Sequence, residues 1–457
     1  MAERQGQREF DIVVLGMGPG GEYAARELAK SGLSVAGVEA RLVGGECPYW
    51  GCVPSKMMIR AANLLSEGRR IPGMAGASVV SPDWALVADR IRAEATDDWD
   101  DTAAADRFTR AGGTLFRGYG RITGPGEVTV RGNVLRARRG IVINTGTAPA
   151  VPPIPGLAGT PFWTNREIVE TEDVPQSLAV LGGGAIGSEL AQVFARFGAR
   201  VTVAEAADRL LPMEEPESGE LLAKIFTSEG ITVSTGAKAE SVTHDAGGFT
   251  LKLADGSQVQ AERLLLATGR TTNLAAVGIS AVGLDESARS IPVDDEMRAA
   301  PGVWAIGDVT GHGAFTHMSM YQAQIAVDAI LGRPHHPAEY HAVPRVTFTD
   351  PEIGGVGLTA AEARERLGNV ATGISQVPAS SRGWIHKAGN AGFIKLVADA
   401  GRGVLVGATS AGPVGGEVLS MLTLAVHAEV PVRRLTEMIY AYPTFHRAVR
   451  DALEQLS

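Results

Sequence analysis

Short runs of nearly uninterrupted apolar residues alternate along this chain with amphipathic stretches, and one arrangement of them occurs twice. Phe10 to Leu15 is an apolar run that reads as a buried strand. Gly16-Met17-Gly18-Pro19-Gly20-Gly21 follows, and the spacing then predicts a helix over 22–31 and a second strand over 33–38, ending at Glu39. Residues 178–205 repeat the pattern: a strand over 178–181, Gly182-Gly183-Gly184-Ala185-Ile186-Gly187, a helix through Phe197, and a strand over 201–204 that ends at Glu205. From first glycine to terminal acid is 23 positions in both copies.

Between the repeats, prolines at 149, 152, 153 and 155 mark a crossover. After residue 341 the pattern changes. Strands are predicted near 344–348, 392–398 and 403–409, then a long apolar helix over about 416–429, which reads slightly better as core than as a subunit interface.

Each glycine of the repeat has a separate reason to be there. The first permits a tight turn, the second lets backbone approach a pyrophosphate, and the third lets helix and strand pack closely. The pyrophosphate is held by the unpaired amides and positive dipole end of the helix, and the terminal acid accepts from a ribose diol. One such turn is weak evidence, whereas two, each in a complete strand–helix–strand unit with the acid equally placed, are strong. The fold class expected is therefore α/β, with two Rossmann-like dinucleotide-binding domains.

Composition narrows the class. A length of 457 residues suggests roughly two to four domains. A net charge of −9 with no basic stripe argues against nucleic acid. The first nine residues are polar and charged, and no run of ~18 apolar residues is present, so a cytoplasmic protein with no membrane segment is expected. The two cysteines, Cys47 and Cys52, are too few for a secreted disulfide framework. They lie in Gly44-Gly45-Glu46-Cys47-Pro48-Tyr49-Trp50-Gly51-Cys52-Val53-Pro54-Ser55-Lys56, directly behind the first acid. No further cysteine or paired histidine is near enough to complete a zinc site, so the pair reads as redox-active and no metal is expected. A thiol near a helix start is expected to have a lowered pKa.

With these motifs in place the chain resembles, over essentially its whole length, the pyridine nucleotide-disulphide oxidoreductases, which include dihydrolipoyl dehydrogenase, glutathione reductase and mercuric reductase. The resemblance rests on both glycine motifs, the cysteine stretch through Pro54-Ser55-Lys56, Ala267-Thr268-Gly269-Arg270, and Ala305-Ile306-Gly307-Asp308. It implies an FAD-binding domain over 1–147 and 276–340, an NAD(P)-binding domain over 148–275, and an α+β dimerisation domain over 341–457. It also implies roles. Gly16, Gly18, Gly21 and Glu39 would hold the ADP half of FAD and Asp308 the ribityl chain, with Gly45, Thr145 and Gly269 also at the cofactors. Cys52 would lie on the flavin and Cys47 would meet the acceptor. Lys56 would pair with Glu189. Gly182, Gly184, Gly187 and Glu205 would bind the nicotinamide cofactor. Glu205 disfavours a 2′-phosphate, so NADH is expected over NADPH, although Arg209 lies close by in sequence.

One motif departs from the family. Members that exchange disulphides carry H-x-H-P-T-x-x-E near the C-terminus, whose second His is the proton acceptor and acts across a dimer. Here the stretch is Tyr440-Ala441-Tyr442-Pro443-Thr444-Phe445-His446-Arg447, with Tyr442 in the base position and Arg447 in place of the Glu. A phenol titrating near 10 is a poor base at neutral pH, whereas an imidazole near 6.5 serves. His446 reads as a surface or interface residue. No cysteine follows Cys52, so the C-terminal pair that mercuric reductases use is missing.

The chain is therefore read as a homodimeric enzyme moving electrons from NADH through FAD and the cysteine pair to a small-molecule acceptor that needs no histidine base. A quinone, a metal ion or an unusual disulphide would fit. A dihydrolipoyl dehydrogenase with a rewired proton path, and a flavin-bearing redox sensor that binds a partner, are the alternatives. In the cysteine loop, Glu46 stands where Thr is usual, and Tyr49, Trp50 and Tyr442 are either a stacking surface for a flat acceptor or packing.

Overall fold

A computed structural model describes residues 7–456. The chain forms two compact units, one made of residues 1–54, 89–150 and 270–340, the other of residues 55–88, 151–269 and 341–457.

The first unit is built on a mixed sheet whose central strands are parallel. Gln7–Leu15 lies at the centre, flanked by Asn133–Ile143 on one side and Val35–Glu39 on the other, with Thr114–Arg117 and Val303–Ala305 outside them. Both faces are covered, which is why Val35–Glu39 is buried at every position and reads as a continuous apolar run. Alternate residues of the first strand serve two cores. Ile12 and Val14 pack with Leu28, Phe108 and Ala323, while Val13 and Leu15 pack with Ile122, Leu135 and Ile141. The helix Pro19–Lys30 starts with proline at a position that needs no amide hydrogen and carries Glu22 in its first turn and Lys30 in its last, both favourable to its dipole.

The second unit holds a four-stranded parallel sheet ordered Thr232–Ser234, Arg200–Ala204, Ser177–Leu181, Arg263–Leu266. It also holds a five-stranded antiparallel sheet in which Pro344–Thr347 is at one edge and Val370–Gln376 at the other. The apolar helix runs over Gly415–His427 and buries Val418, Leu419, Leu422, Ala425 and Val426 against that sheet, as the core reading expects, while Leu424 on its other face is 63% exposed. A buried ionic knot ties distant segments of this unit together. The Arg196 guanidinium, 3% exposed, donates to Glu229 at 2.6 Å, to Asp350 at 2.8 Å and to Asn63 at 2.6 Å. Arg70 donates to the same Asp350 carboxylate at 2.7 Å.

The strands anticipated from apolar runs are present within one to three residues at each end. The first helix starts three residues earlier than anticipated, at Pro19, because proline suits the first turn of a helix and stops only its interior.

Candidate active site

In the first unit the strand Gln7–Leu15 ends in a turn at Gly16, whose φ of +87° is a left-handed value that a side chain would strain. The neighbourhood is crowded as well. A β-carbon on Gly16 would lie 2.3 Å from the Asn144 carbonyl oxygen, and one on Gly21 would lie 2.0 Å from the Gly16 carbonyl oxygen. The Asn144 amide donates to the Gly16 carbonyl at 3.2 Å, and Ser319 bonds to Asn144 at 3.2 Å. Glu39 accepts from the Met17 amide with one carboxylate oxygen and from the Arg41 amide with the other, each at 2.8 Å. Burial pushes its carboxyl up from the ordinary range, against the pull of those two amides.

The cysteine loop lies in the same unit. Gly45, at a φ of +68°, packs so closely on Gly18 that a β-carbon would come within 2.8 Å of the Gly18 Cα. A single helical turn over Glu46–Tyr49 carries Cys47, and a second helix begins at Cys52 and runs to Arg70. Cys47 and Cys52 are not joined by a disulfide in this structure. Cys52 is exposed, and its Sγ lies 3.4 Å from the hydroxyl of Thr316, the first residue of the helix Thr316–Leu331. The expectation of a lowered thiol pKa is overturned at Cys47, where the adjacent Cys52 thiol and then burial push the pKa up. A helix of one turn contributes too little dipole to outweigh them.

The aromatic question is partly decided by burial. Tyr49 is 6% exposed, sits 5.9 Å from the Trp50 ring and has its phenol pushed up to about 12 by desolvation. It is packing, and the reading of it as a stacking surface is corrected. Tyr442, 71% exposed, is open to a partner.

Asp308 lies in a short turn, Gly307–Thr310, and accepts from the Thr147 hydroxyl at 2.7 Å. Thr147, two positions after the Thr145 singled out in the sequence, is the threonine that reaches it. Arg270 donates to the same Thr147 hydroxyl at 2.7 Å, to the Thr147 carbonyl at 2.8 Å and to Glu46 at 3.4 Å. Neither Thr147 nor Thr316 was assigned a role from sequence, and only the three-dimensional contact singles them out.

The second unit repeats the turn. Gly182 has a φ of +111°, and a β-carbon on Gly187 would lie 2.0 Å from the Gly182 carbonyl oxygen. Glu205 accepts from the Gly183 amide at 2.6 Å and the Ala207 amide at 2.7 Å, the same two relative positions that Glu39 serves. Gly184, which caps the helix Ala185–Arg196, has no atom within 4 Å of where its β-carbon would be. Gly269 has a φ of +107° and is similarly open. Arg209 donates to the Pro212 carbonyl at 3.0 Å and to Asp208 at 3.2 Å.

On the helix Ala185–Arg196, Glu189 is 5% exposed and accepts from the Lys56 ammonium at 2.7 Å and from the Phe348 amide at 2.9 Å. It is thus no surface carboxylate. The Lys56 ammonium also lies 4.7 Å from the Phe348 ring centroid. Lys56 is four positions after Cys52, one turn further along the same helix.

Near the C-terminus, Tyr440, Tyr442, Arg447 and Arg450 line a cleft of about 530 Å³ with Thr436, Glu437, Met438 and Ile439. Burial pushes the Tyr440 phenol up, and its hydroxyl donates to the Leu435 carbonyl at 3.0 Å. His446, read from the sequence as a surface or interface residue, is half-buried. Its two ring nitrogens are shielded from solvent inside the chain and have no hydrogen-bond partner among the described residues.

Comparison with known proteins then supplies the family. Residues 10–329 match the pyridine nucleotide-disulphide oxidoreductase domain and residues 343–453 match the dimerisation domain of the same family. The chain belongs to this family. It is 36% identical over 457 residues to a dihydrolipoyl dehydrogenase of Chlorobaculum tepidum, covering 97% of this chain and 96% of that one. It is 32% identical to a mercuric reductase of Acidithiobacillus ferrooxidans, covering 98% of this chain and 82% of the other. Among solved structures it resembles the HOCl-induced flavoprotein disulfide reductase RclA of Escherichia coli, with a TM-score of 0.85 at 26% identity over 98% of this chain and 100% of that chain.

Family membership makes the chain a flavoprotein-type oxidoreductase for which FAD and a pyridine nucleotide are expected. The residues present fit both groups. Each glycine turn delivers backbone amides at a helix start, and at Gly184 the space a β-carbon would fill is left open for a ligand to approach. Among the described residues no helix is long and apolar enough to cross a membrane.

Proposed function

We propose that this protein is a cytoplasmic, homodimeric oxidoreductase that draws electrons from NADH by way of FAD and the Cys47–Cys52 pair, and passes them to an acceptor that needs no histidine base. The observation that carries this reading is Tyr442 with Arg447 at the place where disulphide-exchanging relatives carry His and Glu, in a chain that keeps both cysteines and pairs Lys56 with Glu189.

FAD, when bound, supplies two-electron chemistry between nicotinamide and sulfur. Lys56 holds a positive charge on the helix that begins with Cys52, and Glu189 keeps its ammonium in one place. The pair, when oxidised, takes two electrons and two protons, so that the S–S bond breaks and two thiols form. Return of the electrons to the acceptor closes the cycle. With Cys47 pushed up in pKa and no imidazole at 442, proton removal from Cys47 is the slow part of any exchange with an ordinary disulphide, and loss of such a base typically costs ~10²–10⁴ in rate. A quinone or metal ion that takes its electrons directly from the flavin avoids that step, whereas one reduced by the thiol pair releases the same two protons as the disulfide re-forms. Copper(II) complexes of RclA, a structural relative at 25% identity, put a metal ion among the acceptors to test. The engagement of Arg209 with Asp208 and Pro212 supports NADH over NADPH.

A second reading is favoured by the 36% identity to a dihydrolipoyl dehydrogenase: reversible dihydrolipoamide oxidation with a different proton path. An anaerobic NADH titration of the purified protein, followed in the visible, tests the first. A long-wavelength thiolate-to-flavin band before bleaching, with turnover on copper(II) or a quinone and little on lipoamide, is the expected result. Fast lipoamide turnover overturns it in favour of the second.

A further inference from the structure

Glu46 departs from the family pattern in the cysteine loop, as Pro48, Tyr49 and Trp50 do, and the functional reading leaves it unused. It sits immediately before Cys47, in the first position of the Glu46–Tyr49 turn. Its carboxylate faces Arg270, 3.4 Å away, with both side chains largely shielded at 26% and 19% exposure. Arg270 does not merely neutralise it. The same guanidinium is held by two bonds to Thr147, one to the hydroxyl and one to the carbonyl, and that hydroxyl in turn donates to Asp308. The backbone fixes the arginine further, because Arg270–Thr271 pairs antiparallel with Ala148–Pro149, setting Arg270 opposite Pro149.

Four residues from four separate stretches of the first unit thus form one connected chain, Glu46 to Arg270 to Thr147 to Asp308. An arginine whose fork is fixed by two other bonds offers its remaining N–H from a defined place, so a carboxylate at 46 is drawn to a defined place too. A threonine at this position is shorter and uncharged and makes no such ion pair. We propose that Glu46 is a positioning residue that acts through Arg270, anchoring the Cys47 turn to the Thr147–Asp308 pair on which the resemblance places the flavin chain. It rests on the functional reading only for what Asp308 holds; the anchoring itself is a property of the protein without cofactor.

The test separates the two. In a Cys52→Ser background, so that Cys47 is the only cysteine, the iodoacetamide labelling rate of the cofactor-stripped chain is measured for Glu46→Gln, Arg270→Gln and the double variant. Release of the turn in Glu46→Gln is expected to speed labelling about threefold to fivefold, the scale of one partly shielded ion pair. Arg270→Gln is expected to speed it at least as much, and the double variant no more than Arg270→Gln alone, because Glu46 acts through Arg270. Melting temperatures are expected to match the parent's. Labelling of Glu46→Gln within twofold of the parent overturns the proposal, as does a double variant whose effect is the product of the two singles. The outcome does not depend on which acceptor the enzyme reduces. In the Cys52-containing chain, FAD affinity measured by flavin fluorescence is expected to fall in Glu46→Gln and in Glu46→Thr. Unchanged affinity together with faster labelling would keep the anchor and sink its link to the flavin.

Discussion

The two glycine turns share a backbone and differ in their surroundings. In both, the first glycine is in a left-handed conformation, the third has no room for a β-carbon, and the terminal Glu binds the same two relative amides. The first turn is wedged: Asn144, Ser319 and Gly45 press on it, and Glu39 is 9% exposed. The second leaves Gly184 facing open space. One sequence signature therefore serves two kinds of seat. On the function proposed above, the tight seat would hold FAD and the loose one a nicotinamide cofactor that enters and leaves each cycle.

That contrast is open to direct attack. The largest effect is expected from Gly21→Ala, whose new methyl meets the Gly16 carbonyl at 2.0 Å and the Asn144 amide at 2.7 Å. A loss of about 3 kcal/mol in urea unfolding and of the flavin colour is expected. Lys56→Met should come next. It leaves the buried Glu189 carboxylate without its cation, at a cost of about 2 kcal/mol, discounted because Lys56 is 35% exposed. Glu189→Gln should cost less, since an amide still accepts from Phe348. Equal melting temperatures for these two would contradict the burial argument.

The mildest case is Gly184→Ala. Stability within about 1 kcal/mol of the parent and a KM for NADH raised roughly tenfold, with the flavin retained, would sharpen the distinction between the seats. Loss of flavin would break it. A pH measurement probes the wedged unit separately. Because Cys52 is the leading cause of the raised Cys47 pKa, Cys52→Ser should shift the alkylation profile of Cys47 to lower pH. An unmoved profile would assign the shift to burial alone.

Much of this was legible in the chain because its signals are local. A parallel strand buried on both faces writes itself as an apolar run, and a glycine turn needs its three glycines at fixed offsets, so both repeats could be located to within a few residues. The pairing of Lys56 with Glu189 came only from the resemblance, since 133 positions separate them. What stayed hidden was contact between residues far apart in the chain. Tyr49 and Trp50 look alike in sequence, yet Tyr49 is buried and Trp50 half-exposed. The raised pKa of Cys47 depends on how the loop folds back beside Cys52. That the Thr147 hydroxyl reaches Asp308 depends on how the segment after the strand Asn133–Ile143 turns.

The knot around Arg196 bears on the order in which the protein can be made. Its carboxylates come from Glu229 and Asp350, and Asn63 and Arg70 approach from a helix near the start of the chain. A nascent polypeptide that has not yet emerged past position 350 holds a nearly buried guanidinium with half of its counter-charge missing, a costly arrangement. The second unit is then completed late in translation, and chains cut short before Asp350 are the ones that quality-control proteases should find first.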